Sequence, residues 1–215
     1  MSSPRYAIGI DLGTTHCALS WVDLAHPEAP PQILPIAQQS APGSVQDYAL
    51  LPSFIYLPHP SEFADGDLAL PWHSDTTAVV GEWARSHGAQ TPIRLVSSAK
   101  SWLCHAGVDR RAAILPNDAP EEVARISPLE ASTRYLAHLR DAWNHTHPDA
   151  PFDQQALTVA IPASFDPAAR ELTAEAAQAA GYTGVALLEE PQAAPKRASP
   201  WQQRLRARCG ELIGL

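Results

Sequence analysis

The chain has 215 residues, of which 45% are hydrophobic and 18% charged, and this is enough to bury one sizeable core or two small ones. No apolar run reaches the roughly 18 residues of a membrane helix, and residues 1–5 lead into a strand-like run rather than a signal-peptide core, which predicts a cytoplasmic protein without membrane association. The net charge of -8 argues against a nucleic-acid-binding surface on the main body of the chain.

The first predicted elements are two strand-like runs, residues 6–10 and 17–22, which flank a polar turn in the sequence IGIDLGTTHCALSWV, residues 8–22. Gly13 permits dihedral angles that other residues avoid, and successive backbone N–H groups in such a turn form an anion-binding concavity. Thr14 and Thr15 add hydroxyl donors, while Asp11 could hold a magnesium ion through water. The turn is therefore either a phosphate-binding site or an ordinary hairpin, and the P-loop motif G-x-x-x-x-G-K-[ST] is absent.

Prolines are concentrated in the next segment, because eight of the chain's 21 prolines lie within residues 26–60. Proline removes a backbone donor and interrupts sheet pairing, so we expect only short strands here, with LLPSFIYLP, residues 50–58, the best strand candidate. Residues 61–78 have the composition of a polar loop or insertion.

The second half of the chain is more regular. Ser127, Pro128 and Glu130 match a capping box with proline at the first helical position, which predicts a helix over 128–145. A strand over 156–162 follows, then a helix that begins at Asp166 and ends near Gly181, a strand over 184–191 and a further helix opened by Pro191. Alternation of strands and helices predicts an α/β sheet with a parallel portion.

The composition changes after residue 194. Residues 195–215 contain five basic residues and a single acid, Glu211, without a clear amphipathic period. We expect this tail to be disordered or partly helical, as a solvated charged segment.

The cysteines and histidines suggest no structural site. The three cysteines are far apart and include no C-x-x-C pair, so neither a disulfide framework nor a cysteine zinc site is expected. The closest histidines, His145 and His147, fall in a predicted loop beside Pro148, where we expect both to be solvated.

The order of six segments resembles the ATPase domain of the heat shock protein 70 (DnaK-type) chaperones, a branch of the actin-like ATPase superfamily. The segments are YAIGIDLGTTHCALS, LLPSFIYLP, VVGEWAR, RLVSSAKSWL, LTVAIPASFDPAARELTAEAAQAAG and VALLEEPQAA, spanning residues 6–194. The blocks I-P-A-x-F-x-x-x-x-R and E-P-x-A-A are the most specific, since sugar kinases of the superfamily share only the opening turn. The resemblance implies an actin-like (ribonuclease H-like) fold, with residues 1–194 as its first lobe and about 45–125 as an inserted subdomain.

The resemblance also implies a set of site residues, with ATP and magnesium as cofactors. Asp11, Gly13, Thr14 and Thr15 match the first phosphate motif, with Asp11 facing the water shell of the metal. Lys100 matches the lysine near the γ-phosphate, where an ammonium group would stabilise charge on the transferred phosphoryl group. Glu190 matches the glutamate beside the metal's water and the attacking water.

Pro162 and Arg170 match two relay residues that pass the nucleotide state to the outside of the domain. The same residues have simpler interpretations: Pro162 could end a strand, and Arg170 could pair along its helix with Glu171 or Glu175. By the same reasoning Lys100 could be a surface charge, and Glu190 could belong to a helix start.

The family's second phosphate turn, of the D-L-G-G-G-T kind, is not found after the E-P-x-A-A block. The hypothesis is therefore a truncated ATPase lobe of a folding chaperone with weak or absent hydrolysis, and a change of reading frame near codon 195 would explain the composition of the tail. Unfolded client proteins and co-chaperones are partners implied by the resemblance alone, as is a role in the stress response. The alternatives are, from another class, a non-catalytic interaction module or inert fragment, and a small-molecule kinase of the same superfamily.

Overall fold

The computed structural model describes residues 3–74, 76–162 and 165–189. In chain order its elements are β1 (Tyr6–Leu12), β2 (His16–Asp23), β3 (Gln32–Ile33), β4 (Ile36–Ala41), β5 (Ser44–Tyr48), β6 (Leu51–Pro52), β7 (Ile55–Tyr56), β8 (Val79–Val80), α1 (Glu82–Gly88), β9 (Leu95–Val96), α2 (Ala99–Leu103), α3 (Pro128–Thr146), β10 (Ala156–Ile161), α4 (Pro167–Ala179) and β11 (Ala186–Glu189). Two short 3₁₀ helices, Pro92–Arg94 and Phe152–Gln154, complete the set for these residues.

The central sheet has the strand order β11-β10-β1-β2-β3, and β6 pairs with β2. Strands β1, β10 and β11 are parallel, whereas β2 runs antiparallel to β1 and β3. This mixed sheet confirms the prediction of an α/β sheet with a parallel portion. Asp11 pairs with Ala160, and Ile161 pairs with Glu189, so the carboxyl ends of the three parallel strands lie at one edge of the sheet.

Helix α3 covers the sheet and confirms the predicted helix over 128–145 with one extra residue. Ser127 is its N-cap, and the Ser127 side chain accepts a hydrogen bond from the Glu130 N–H at 2.9 Å. The Glu130 carboxylate accepts hydrogen bonds from Arg134, one turn later. Leu136, Leu139 and Trp143 are fully buried beneath the helix, so apolar burial stabilises it against the sheet.

Helix α4 begins as predicted, because Asp166 is its N-cap and Pro167 its first residue. The Asp166 carboxylate accepts a hydrogen bond from the Ala169 N–H at 2.6 Å. The helix ends at Ala179, and Gly181 follows with φ +83°, a left-handed conformation that glycine adopts without strain. The predicted helix after Pro191 and the tail lie outside the described residues.

The proline-rich segment contains a hairpin that the sequence did not predict. Strands β4 and β5 pair over residues 36–48 around Pro42 and Gly43, and Gly43 has φ +69°. A proline and a left-handed glycine thus supply a turn here rather than only breaking strands. Residues 61–78 form turns with one isolated bridge, Leu70 to His73, within the part of this segment that the structure describes, as the loop prediction expected.

The prediction for the histidine pair is wrong in part. His145 is exposed but belongs to α3, whereas His147 is half-buried and stacks on Trp143 with ring centroids 3.9 Å apart. Burial lowers the pKa of His147, so it is an aromatic packing residue rather than a solvated one.

A second, smaller core lies beside the central sheet. Strand β7 pairs with β8 and β9 in a three-stranded sheet, and Tyr56, Val79 and Trp83 form a buried cluster between this sheet and α1. No helix among the described residues combines the length and the hydropathy that a bilayer crossing requires.

Candidate phosphate-binding site

The polar turn between β1 and β2 closes a hairpin whose last paired residues are Leu12 and Cys17. A Cβ atom added to Gly13 would lie 2.1 Å from the backbone oxygen of His16, far inside van der Waals contact. Any other residue at this position would force the turn open. Glycine is therefore required by the tightness of the turn itself.

Ser53, just after β6, holds this turn from one side. Its Oγ donates a hydrogen bond to the Gly13 oxygen at 2.8 Å, and its backbone N–H donates to the Thr15 oxygen at 2.8 Å. Because a trans peptide unit directs its C=O and N–H in opposite directions, the N–H of Thr14 points away from Ser53. Two carbonyl oxygens that would repel a phosphate are thus occupied, while the side chains of Thr14 and Thr15 are exposed.

Asp11 lies at the carboxyl end of β1 and is only 3% exposed. It pairs with Ala160 on one side and Ala18 on the other, so strand pairing on both sides of β1 fixes its position. The Cys17 thiol lies in the same region, and burial raises its pKa to about 12, with the negative charge of Asp11 adding to the rise. The carboxylate is therefore held in a poorly solvated place at the edge where the turn begins.

The chemistry of these donors fits a magnesium ion that keeps most of its water. One carboxylate and two hydroxyl groups offer oxygen atoms, which are the ligands that magnesium prefers, and magnesium usually takes only one or two protein carboxylates. Within the described parts of the chain there is no group of three histidine, cysteine or acidic side chains able to hold a metal.

Lys100 is the second residue of the short helix α2. Its side chain is half-buried, and Nζ lies 5.5 Å from the ring centroid of Phe165. The positive charge of Lys100 also acts on the thiol of Cys17, which pairs with Leu12 at the base of the turn. Lys100 is thus close enough for its charge to act at the base of the turn, and its ammonium group makes a cation–π contact with Phe165.

The two relay candidates lie near the ends of β10 and β11. Pro162 follows β10 directly, and its oxygen accepts a hydrogen bond from the Phe165 N–H at 3.1 Å. Arg170 forms an ion pair with Glu189, the last residue of β11, in place of the alternative pairing along its helix with Glu171 or Glu175. The parallel pairing of the strands brings Glu189 close, and the carboxylate of Glu175 pairs with Arg111 instead. Glu190 lies outside the described residues.

Three residues at this site were not assigned by the sequence interpretation: Ser53, Phe165 and Arg110. Phe165 occupies the fixed aromatic position of the I-P-A-x-F block, so the motif itself carried the signal. Ser53 lies inside the predicted LLPSFIYLP strand segment, and the available signal was a serine within an otherwise apolar run. Arg110 has no local signal, because its partner Asp166 is 56 residues away.

Comparison with known proteins finds curated relatives, whereas no family model matches the chain. A protein named "Chaperone protein HscA homolog" from Bordetella petrii is 31% identical over 199 residues, which cover 88% of this chain and 27% of that protein. Proteins of the same name from Acinetobacter baumannii and Cupriavidus necator are 30% and 32% identical, with the same coverage. The chain therefore spans about a quarter of the length of these relatives.

Proposed function

Over the region that it shares with these relatives, the chain belongs to the heat shock protein 70 family of chaperones, and we propose that this region is the first lobe of an actin-like ATPase domain. The five-stranded order β11-β10-β1-β2-β3, with two parallel and two antiparallel strand pairings, supports this proposal. The smaller core around Tyr56 and Trp83 supports an inserted subdomain at about residues 45–125. Residues 195–215 are proposed as a separate basic tail.

The proposed activity is binding of MgATP at the turn between β1 and β2. The N–H groups and hydroxyls of Thr14 and Thr15 would contact the phosphates, and Asp11 would contact the water shell of the magnesium ion. Magnesium, when bound, supplies positive charge that neutralises the phosphate oxygens. The single observation that carries the proposal is the turn itself, with its carbonyl groups held by Ser53 and its base next to the buried Asp11.

Hydrolysis is proposed to depend on two further groups. The ammonium group of Lys100 would stabilise charge on the transferred phosphoryl group, and Glu190 would orient the attacking water. We expect the 215-residue chain by itself to hydrolyse ATP weakly or not at all. Thr14 and Thr15 are exposed, and solvent weakens every electrostatic contact that such a site relies on.

A chaperone role is proposed for the protein of which such a lobe is part. Pro162 and Arg170 would pass the nucleotide state outward, and the ion pair of Arg170 with Glu189 offers a link between α4 and the end of β11. Unfolded client proteins and co-chaperones are the proposed partners.

Titration calorimetry of the full chain with MgATP tests this proposal. We expect saturable heat for the wild type and for the control Arg134→Ala, which removes an exposed ion pair on α3. Asp11→Asn and Lys100→Ala should each weaken binding by about tenfold, because each removes a charged contact to the ligand. No detectable heat from a folded, monomeric sample would contradict the proposal and leave the turn as an ordinary hairpin.

A further inference from the structure

Arg110 connects three helix ends near the proposed site. It lies in the loop after α2, and its side chain is only 9% exposed. Its Nε donates to the His105 oxygen at 3.2 Å, and its Nη2 donates to the oxygen of Cys104, the C-cap of α2, at 3.4 Å. Its own backbone oxygen accepts a hydrogen bond from Leu129 in the first turn of α3.

The other side of the guanidinium group binds the start of α4. Nη1 donates to Asp166 Oδ1 at 3.1 Å, and Nη2 donates to Oδ2 at 2.8 Å, which makes the ion pair bidentate. Asp166 Oδ1 also accepts the Ala169 N–H, so the same carboxylate caps the helix. The guanidinium of Arg110 and the Ala169 N–H together lower the pKa of Asp166 to about 2, which keeps the pair charged throughout the neutral range.

Helix α2 needs such a contact because it is short. It has five residues, and its N-cap, Ser98, has φ 55° and makes no side-chain capping bond. Helices this short do not persist without tertiary support. Its position, and with it the position of Lys100, must therefore come from contacts with the rest of the molecule.

We propose that Arg110 is a positioning residue that holds α2 against the start of α4, and so keeps the Lys100 ammonium group beside Phe165 and the phosphate-binding turn. Phe165 directly precedes Asp166, so the aromatic ring under Lys100 and the carboxylate gripped by Arg110 move as one segment. Loss of the ion pair would release the end of α2 from the segment that carries Phe165. Lys100 would then lose its fixed position relative to this ring. The role in nucleotide binding rests on the proposed function, whereas the holding of α2 does not.

Hydrogen exchange of the full chain without nucleotide tests the holding of α2. Arg110→Ala and Asp166→Asn should raise the exchange of the α2 amides by about tenfold, since contacts between neighbouring groups in one network contribute this much. Asn is a good N-cap, so Asp166→Asn removes the charge while keeping the cap. Arg111→Ala is the matched control, because the neighbouring Arg111 is 53% exposed and pairs with Glu175. Unchanged α2 exchange, or an equal rise throughout the chain, would overturn the proposal.

Titration with MgATP tests the action through Lys100. We expect Arg110→Ala to weaken binding by about tenfold in the wild-type background and to have no further effect in the Lys100→Ala background. A loss that persists without Lys100 would show that Arg110 does not act through it and would overturn the positioning role. If the wild type binds no MgATP, the proposed function fails, while the exchange measurement still decides whether Arg110 holds α2.

Discussion

Ser53→Ala tests whether the phosphate-binding turn is held in place before any ligand arrives. The substitution removes the Oγ that donates to the Gly13 oxygen and lies 3.4 Å from Cys17 Sγ, both in buried surroundings. A buried carbonyl that loses its donor costs about 1–3 kcal/mol. With a urea dependence of about 2 kcal/mol per molar, the unfolding midpoint should fall by about 0.5–1.5 M.

The matched control is Ser132→Ala in α3. Ser132 is equally buried, and its Oγ donates to the Pro128 oxygen at 3.0 Å. The Pro128 oxygen also accepts an N–H from within the helix, so removal of the Ser132 hydroxyl should cost only about 0.5 kcal/mol. Ser53→Ala should in addition weaken MgATP binding measured by calorimetry, whereas Ser132→Ala should leave it unchanged. Equal midpoints and equal affinities for the two variants would refute the reasoning that Ser53 orders the turn.

Three further predictions concern the core and the turn. Gly13→Ala should lower the free energy of unfolding by about 2 kcal/mol or more in urea titrations, since its Cβ would lie 2.1 Å from the His16 oxygen, and a wild-type midpoint would show that the turn relaxes freely. Burial lowers the pKa of His138 to about 4 from 6.5, so the unfolded chain binds a proton that the folded chain does not, and stability present above pH 6.5 should fall by about 3 kcal/mol as the pH approaches 4. His138→Gln should flatten this pH profile, and an identical profile for both proteins would contradict the assignment. Cys17 should resist alkylation in the native protein while Cys104 reacts slowly, because Cys17 is fully buried with its pKa raised to about 12 and Cys104 is half-buried. Peptide mapping of the labelled protein checks this difference, and equal labelling of the two cysteines would contradict it.

The elements that could be predicted from the sequence are those whose causes are local. Helix α3 has its N-cap serine, its proline and its apolar spacing within one stretch, and α4 has Asp166 and Pro167 at its start. The parallel strands β10 and β11 were also recognised, since alternating strands and helices restrict the possible topologies.

The elements that could not be predicted depend on partners distant in sequence. The β4–β5 hairpin lies in a segment whose prolines favour loops, and its stability comes from strand pairing and the burial of β4 rather than from propensity. Arg170 pairs with Glu189 because β11 lies parallel to β10, which no helical spacing rule reveals. Likewise, Ser53 reaches Gly13 across 40 residues of chain.

The same distinction explains how the proposed site acquires its geometry. Asp11, Thr14 and Thr15 could be recognised because they lie together in one short motif. The orientation of that turn, however, depends on Ser53, which binds carbonyl oxygens rather than a ligand. In our proposal Arg110 does the same for Lys100, through the Asp166 carboxylate. Since both supports exist without nucleotide, the groups that would contact phosphate are ordered during folding, and binding loses less conformational entropy. Ser53→Ala should therefore weaken MgATP binding mainly through a less favourable binding entropy, and a purely enthalpic loss in calorimetry would argue that Ser53 contributes to the ligand's electrostatic environment instead.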